Sequence, residues 1–262
     1  MNRLDAEHGE PHRACAACRD GSVTIPPLSM AFQPILHCPP EGGTALYAYE
    51  ALVRGPNGEG AGSVIARVND GNRYLFDQTC RVRAITMATA LGLGATTAAL
   101  SINFMPNAVY EPRACIRASL AAAQQAGLPR ERLVFEFTEN EAVQDPKHLL
   151  RILACYREIG FRTAIDDFGA GYSGLSLLAD FQPDTVKLDM ALVRGVDQDR
   201  VRRIIIRHVV ALCAELSITV VAEGVETRDE FLALRDLGIT LFQGYLIGRP
   251  GFEQLPAALL PA

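Results

Sequence analysis

Eight short runs of β-branched, aliphatic and aromatic residues recur along this chain, and they limit its fold more than any other feature. They are AFQPIL (31–36), LYAYEALVR (46–54), AALSINF (98–104), RLVFEFT (132–138), RTAIDD (162–167), TVKLD (185–189), TVVAEG (219–224) and TLFQG (240–244). Each has the length and residue types of a buried strand. Stretches with helical spacing separate most of them, at 73–92, 106–126, 146–159, 174–180, 200–216 and 227–237. Strands alternating with helices predict an α/β fold with a parallel sheet, and eight strands predict closure into a TIM-type (β/α)8 barrel. One connection departs from this pattern. The nine residues HCPPEGGTA between Leu36 and Leu46 are too few, and too rich in Pro and Gly, for a parallel crossover. The expected architecture is therefore a modified TIM barrel with its first strand antiparallel.

The 262 residues are 49% hydrophobic and 21% charged, enough for a packed core. Residues 29–262 are assigned to the barrel and residues 1–28 to an N-terminal leader. The opening MNRLDAEHGEPHR is polar, and no apolar run reaches the roughly 18 residues of a membrane span, so a cytoplasmic protein without membrane contact is expected. A net charge of −5 and a pI near 5.6 argue against a surface for duplex nucleic acid. The seven cysteines do not form a disulfide framework, and Cys80, Cys115, Cys155 and Cys213, set among aliphatic residues, read as core filler. Cys15 and Cys18 form a CxxC beside His12, with His37 and Cys38 further along, but one CxxC without a clean second pair is a weak zinc signal.

Barrel strands are usually apolar, yet these carry Glu50, Asn103, Glu136, Asp166, Asp167, Lys187, Asp189, Glu223 and Gln243, most near the strand's C-terminal end. Barrel enzymes place their catalytic groups at that end. Residues two apart on a strand share a face, so Lys187 and Asp189 point the same way. Five of these carboxylates, Glu50, Glu136, Asp166, Asp167 and Glu223, converging on one mouth are costly: like charges about 4 Å apart repel by about 4 kcal/mol at an effective dielectric near 20. Such a cluster must take up protons or bind cations. Oxygen ligands and one amide, with no Cys or His nearby, favour Mg²⁺ or Mn²⁺ over zinc, with Ca²⁺ as an inhibitory competitor. Adjacent Asp166 and Asp167, one of them able to bridge, suit two metals, and two-metal sites perform in-line phosphoryl chemistry. Taken singly, Glu50 or Glu136 could be a rim salt-bridge partner, Lys187 a counter-ion, and DDFGAG or Gln243-Gly244 turn chemistry. Taken together, so many buried acids without cations are too expensive.

Seven segments then carry a resemblance: YEALVRGP (49–56), SINFMP (101–106), FEFTENE (135–141), AIDDFGAGYSGLSLL (164–178), PDTVKLD (183–189), VVAEGVET (220–227) and FQGYLIGRP (242–250). In this order they resemble the EAL-domain phosphodiesterases of cyclic di-GMP, from about Met30 to Leu255. The wording of GPNGEGAGSVIARVN and INFMPNAVYEP is most similar to EAL domains attached to blue-light-sensing BLUF modules, although no such sensor is read in this sequence.

The resemblance implies one metal held by Glu50, Asn103, Glu136 and Asp166, and a second reached by Asp166 and completed by Asp167 and Glu223. Lys187, Glu223 and Glu50 are then the catalytic residues, with Lys187 contacting the attacking water either to orient it or to take its proton. The implied reaction opens cyclic di-GMP to linear 5′-pGpG and so lowers a bacterial second messenger. Substrate contacts are implied at Gln33, Leu52, Arg54, Asp189 and Gln243; the fork of the Arg54 guanidinium matches two phosphate oxygens. Glu139 is implied to anchor the loop from Phe168 to Gly174, which would couple metal binding to contacts in a homodimer. Ala170 and Gly174 stand where many relatives have Thr and Ser. A catalytically silent receptor, or an EAL domain that binds a regulatory protein, stays open as the alternative, although none of the implied acids is lost. An unrelated barrel metalloenzyme would share the acid pattern but not the EAL and DDFGAGYSGL wording.

Overall fold

The Pro- and Gly-rich linker reverses the chain as its length requires: Ser29–His37 (β1) runs antiparallel to Ala45–Arg54 (β2), with Gln33 opposite Glu50. The structure is a computed structural model that describes residues 23–138, 145–171 and 174–259. From β2 the strands run parallel through Ala99–Asn103 (β3), Leu133–Thr138 (β4), Arg162–Phe168 (β5), Thr185–Leu188 (β6), Thr219–Ala222 (β7) and Leu241–Phe242 (β8). β8 then pairs antiparallel with β1, Leu36 against Phe242, and the barrel closes. A further short strand, Gly251–Phe252 (β9), adds to β1 opposite Ala31 and Phe32.

Alternation along each strand divides the core in two. Inside the barrel, Ile35, Ala48, Ala99, Val134, Ala164, Val221 and Leu241 form a dry apolar floor. Outside it, Phe32, Leu100, Phe135, Ile165, Val186 and Phe242 pack beneath the helices. The helices are Ala61–Ile65 (α1), Arg73–Ala90 (α2), Pro112–Cys115 (α3), Arg117–Gln125 (α4), Pro146–Ile159 (α5), Gly174–Asp180 (α6), Met190–Val193 (α7), Arg200–Glu215 (α8) and Arg228–Asp236 (α9). Local chemistry sets their ends. The Asp145 carboxylate caps α5, with Pro146 at its first position, and Thr227 and Glu230 form a reciprocal capping box on α9.

The helical stretch expected at 106–126 is a correction. Pro106 and Pro112 cannot donate within a helix, so the segment divides into a single 3-10 turn at Pro106–Ala108, then α3 and α4. Cys38, Cys115, Cys155 and Cys213 are buried free thiols and Cys80 is partly buried, as core filler would be. His12, Cys15, Cys18 and the rest of residues 1–22 lie outside the described residues. No helix among the described residues is long and apolar enough to cross a membrane.

Phe135, fully buried, packs edge-on against Phe104 and Phe161 and tilted against Tyr156, joining β4 to α5. Phe135→Ala is expected to lower stability by about 3–5 kcal/mol, read by chemical denaturation. A loss below about 1 kcal/mol would show that this aromatic cluster does not hold the barrel wall.

Candidate functional site

Each floor residue has a polar residue two positions nearer the barrel mouth. Ala48, Ala99, Val134, Ala164, Val221 and Leu241 are followed at that spacing by Glu50, Ser101, Glu136, Asp166, Glu223 and Gln243, and on the reversed β1 Ile35 is preceded by Gln33. Period-two alternation puts both layers on the inner face, so the polar layer sits directly on the apolar floor. Lys187 lies in register with Val221 and reaches up into the acids.

That lysine is the centre of the site. Its Nζ is 2.7 Å from Glu223 Oε1, 2.9 Å from Glu136 Oε2, 3.0 Å from Asp166 Oδ1 and 3.3 Å from Glu50 Oε2, and its side chain is 1% exposed. Two amides hold Glu50 from either side: Asn103 Nδ2 donates to Oε1 at 2.9 Å and Gln243 Nε2 to Oε2 at 2.7 Å. Gln243 Nε2 is also 3.2 Å from Gln33 Oε1, and Gln33 Nε2 donates to the Gly248 carbonyl at 3.0 Å. The amide orientations therefore form one chain from the C-terminal segment to the acid. At Gly244 a Cβ would lie 2.1 Å from the Val225 carbonyl oxygen, so the loop bearing Gln243 can close on the loop after β7 only without a side chain there.

Asp166 and Asp167 are consecutive and should face opposite sides of β5, yet both line the cleft. The backbone explains this. Asp167 has φ 55°, in the left-handed region, and the β5–β6 register shifts between Ile165 and Phe168. A non-glycine residue held there is strained, and here the strain turns a second carboxylate inward.

Burial pushes the Glu136 carboxyl up to about 8, with Lys187 pulling the other way and Glu50 and Asp166 adding repulsion. Burial also raises Glu223 well above the carboxylate range, and burial followed by the Asp166 charge lifts Asp167 to about 6. For Lys187, burial disfavours the ammonium, but the carboxylates of Asp166, Glu136, Glu223 and Glu50 outweigh it and hold the proton well above the usual lysine value. The acids fit hard cations. Ligand oxygens of Glu50, Glu136 and Asp166 lie within 4.8 Å of one another, as do those of Asp166, Asp167 and Glu223, and Asp166 belongs to both sets.

The cleft above the acids has a volume of about 300 Å³, and Gln33, Asp189 and Gln243 are among the residues that line it. Asp189 also caps α7 through the Ala191 amide. Arg54 is not among the lining residues; its Nη1 donates to the neighbouring Val53 carbonyl at 2.8 Å. Leu52, half-buried, does not line the cleft either. Glu139, Tyr172 and Ser173 lie outside the described residues. Residue-by-residue reading of the strands missed the rim. Arg194 Nη1 donates to Glu226 Oε2 at 2.8 Å, and both residues line the cleft with Met190 and Tyr245. All four follow the C-terminal ends of barrel strands, the signal that could have found them.

A closed barrel with one reversed strand thus carries at its mouth an acidic, amide-braced cavity suited to divalent cations. The chain matches the EAL domain family over residues 23–250 and belongs to that family. It is 32% identical over 82% of its length to the blue light- and temperature-regulated antirepressor BluF of Escherichia coli, which bears out the BLUF-associated likeness in its wording. It is 29% identical over 80% of its length to the probable cyclic di-GMP phosphodiesterase PdeA of the same organism. The chain spans 53% of the first relative and 31% of the second. Among solved structures, a standalone versatile EAL protein from Vibrio cholerae in its c-di-GMP-bound form is 51% identical, with TM-score 0.85, covering 90% of this chain and 98% of that one. A manganese/cy-diGMP complex of Klebsiella pneumoniae BlrP1 is 36% identical, with TM-score 0.81, covering 90% and 59%.

Lys187→Met removes the shared cation from four carboxylates and is expected to destabilise the protein in chelator by about 3–5 kcal/mol at pH 8. The loss shrinks at pH 5, because Glu136 (about 8) and Asp167 (about 6) are then protonated and repel less. Denaturation curves at both pH values check this, and equal losses would contradict it.

Proposed function

We propose that this chain is a cyclic di-GMP-specific phosphodiesterase that hydrolyses its substrate to linear 5′-pGpG. One observation carries the reading: Asp166 is common to two three-carboxylate groups at the barrel mouth, the arrangement that lets one acid serve two cations. Glu50, Asn103, Glu136 and Asp166 hold the first cation, and Asp166, Asp167 and Glu223 the second. Mg²⁺ or Mn²⁺ fits this oxygen-rich set, and Ca²⁺, larger and less demanding in geometry, competes without supporting turnover. When bound, the cations activate water and offset phosphate charge.

The chain's own residues do the rest. Lys187, whose Nζ lies 2.7 Å from Glu223 Oε1 among the acids, contacts the attacking water, either orienting it or taking its proton. Gln33, Gln243 and Asp189 line the cleft and orient the nucleotide. Arg54, at the end of β2 and bonded among the described residues to the neighbouring Val53 carbonyl, swings to a phosphate. The complexes of related EAL proteins with c-di-GMP, one of them also with manganese, support both ligand and ion. A homodimer is part of the proposal: α8 leaves Val201 and Ile205, one turn apart, exposed on its outer face, where a second copy would cover them.

A second reading has its own support, since the relative BluF is named an antirepressor. Incubation with cyclic di-GMP and Mg²⁺ or Mn²⁺, followed by separation of the nucleotides, tells the two apart. The hydrolase yields pGpG. Ligand binding with no pGpG under either metal overturns it in favour of a receptor. Glu50→Ala should lower turnover by more than about 100-fold, because outer partners of metal ligands alone contribute about 10–100-fold. Unchanged turnover in that variant would remove Glu50 from the site.

A further inference from the structure

Helix α2 carries a charged pair that has no place in the cleft. Arg81 is the largest fully buried side chain among the described residues. Its Nη2 lies 2.8 Å from Asp77 Oδ2, one turn away, with side-chain exposures of 0% and 2%. Its Nη1 is 3.4 Å from the Tyr156 hydroxyl, and its Nε has no hydrogen-bond partner among the described residues. Ion pairs at this helical spacing normally sit in water and add little. A desolvated pair can often be replaced by apolar side chains at no loss of stability, so stability alone is a weak account of this one.

An apolar pair could not supply an acceptor. Asp77 Oδ1 accepts the Met105 N–H at 2.8 Å, just beyond the end of β3. The neighbouring Phe104 N–H donates to the Glu136 carbonyl at 2.9 Å. Two consecutive amides are thus tied down, one to β4 and one to α2, immediately after Asn103. Asn103 in turn donates to Glu50 at 2.9 Å, so its side-chain position depends on where those tethers hold the strand end.

We propose that Asp77, fixed by Arg81 and Tyr156, is a positioning residue that sets Asn103 for cation binding from outside the barrel. This rests on the reading of Asn103 as a ligand. Arg81 neutralises and orients the buried carboxylate, so that one of its oxygens faces Met105. A neutral amide at position 77 keeps an acceptor there, and an alkyl group does not.

The test is Mn²⁺ affinity by titration calorimetry on the full chain, with thermal melts as the control for folding. Asp77→Leu with Arg81→Met is expected to melt as the wild type does but to bind Mn²⁺ about 10-fold more weakly or worse, the effect of losing a support behind a ligand. Asp77→Asn with Arg81→Met is expected to restore affinity to within about 3-fold of wild type, because the amide oxygen keeps the Met105 tether and the ligand support is retained. If the Leu/Met variant does not fold, Asp77→Val with Arg81→Met takes its place. Wild-type Mn²⁺ affinity in the folded apolar variant, or failure of the Asn variant to recover it, overturns the inference while leaving the cation site intact. Asn103→Ala is measured beside them. Wild-type affinity there overturns the ligand assignment and the inference together.

Discussion

Four carboxylates, three of them buried and Glu223 partly so, share one ammonium at the mouth of this barrel, and the rest of the structure is arranged around that imbalance. Burial first, and then the repulsion that one ammonium leaves among four carboxylates, makes Glu136 and Glu223 hold protons far above their ordinary range. An excess of this kind persists only where the scaffold cannot relax it. The dry floor of Ile35, Ala48, Ala99, Val134, Ala164, Val221 and Leu241 bars retreat downward, and the amides of Asn103 and Gln243 bar Glu50 from turning away.

The reversed first strand serves the same centre. In a barrel of parallel strands every position at the mouth comes from a strand's C-terminal end. Here β1 enters from the mouth, and Gln33, at its middle, lies opposite Glu50 in the antiparallel register. Its amide links the Gly248 carbonyl to Gln243 and thereby to the acid. Strand reversal thus lets the C-terminal segment brace the acid through two glutamines.

Much of this could be read from the chain because strand chemistry is periodic. A linker too short for a crossover fixed the direction of β1, and alternation placed Glu50, Glu136, Asp166 and Glu223 on one inner face. Features that break periodicity could not be read that way. Asp167 reaches the cleft through a positive φ and a register shift, neither of which the period-two rule contains. The helix expected at 106–126 was divided by two prolines that an apolar periodicity overlooks. Arg54 satisfied the spacing for the inner face, yet its guanidinium folds onto the Val53 carbonyl, because a long side chain at a rim is not bound by the direction of its Cβ.

Asp77 and Arg81 belong to a different class of omission. On sequence they form an ordinary helical ion pair, and only the packing of α2 against the end of β3 and against Tyr156 makes them a desolvated unit. The distinction has a physical basis: the same two residues contribute little in water and constrain geometry strongly when buried, because an unpaired charge in the interior cannot be left behind. A site overloaded with negative charge needs its neutral side chains held as firmly as its charged ones. The acids are drawn toward Lys187 by Coulomb attraction, whereas Asn103, which carries no charge, depends for its place on the hydrogen bonds that hold the backbone beside it.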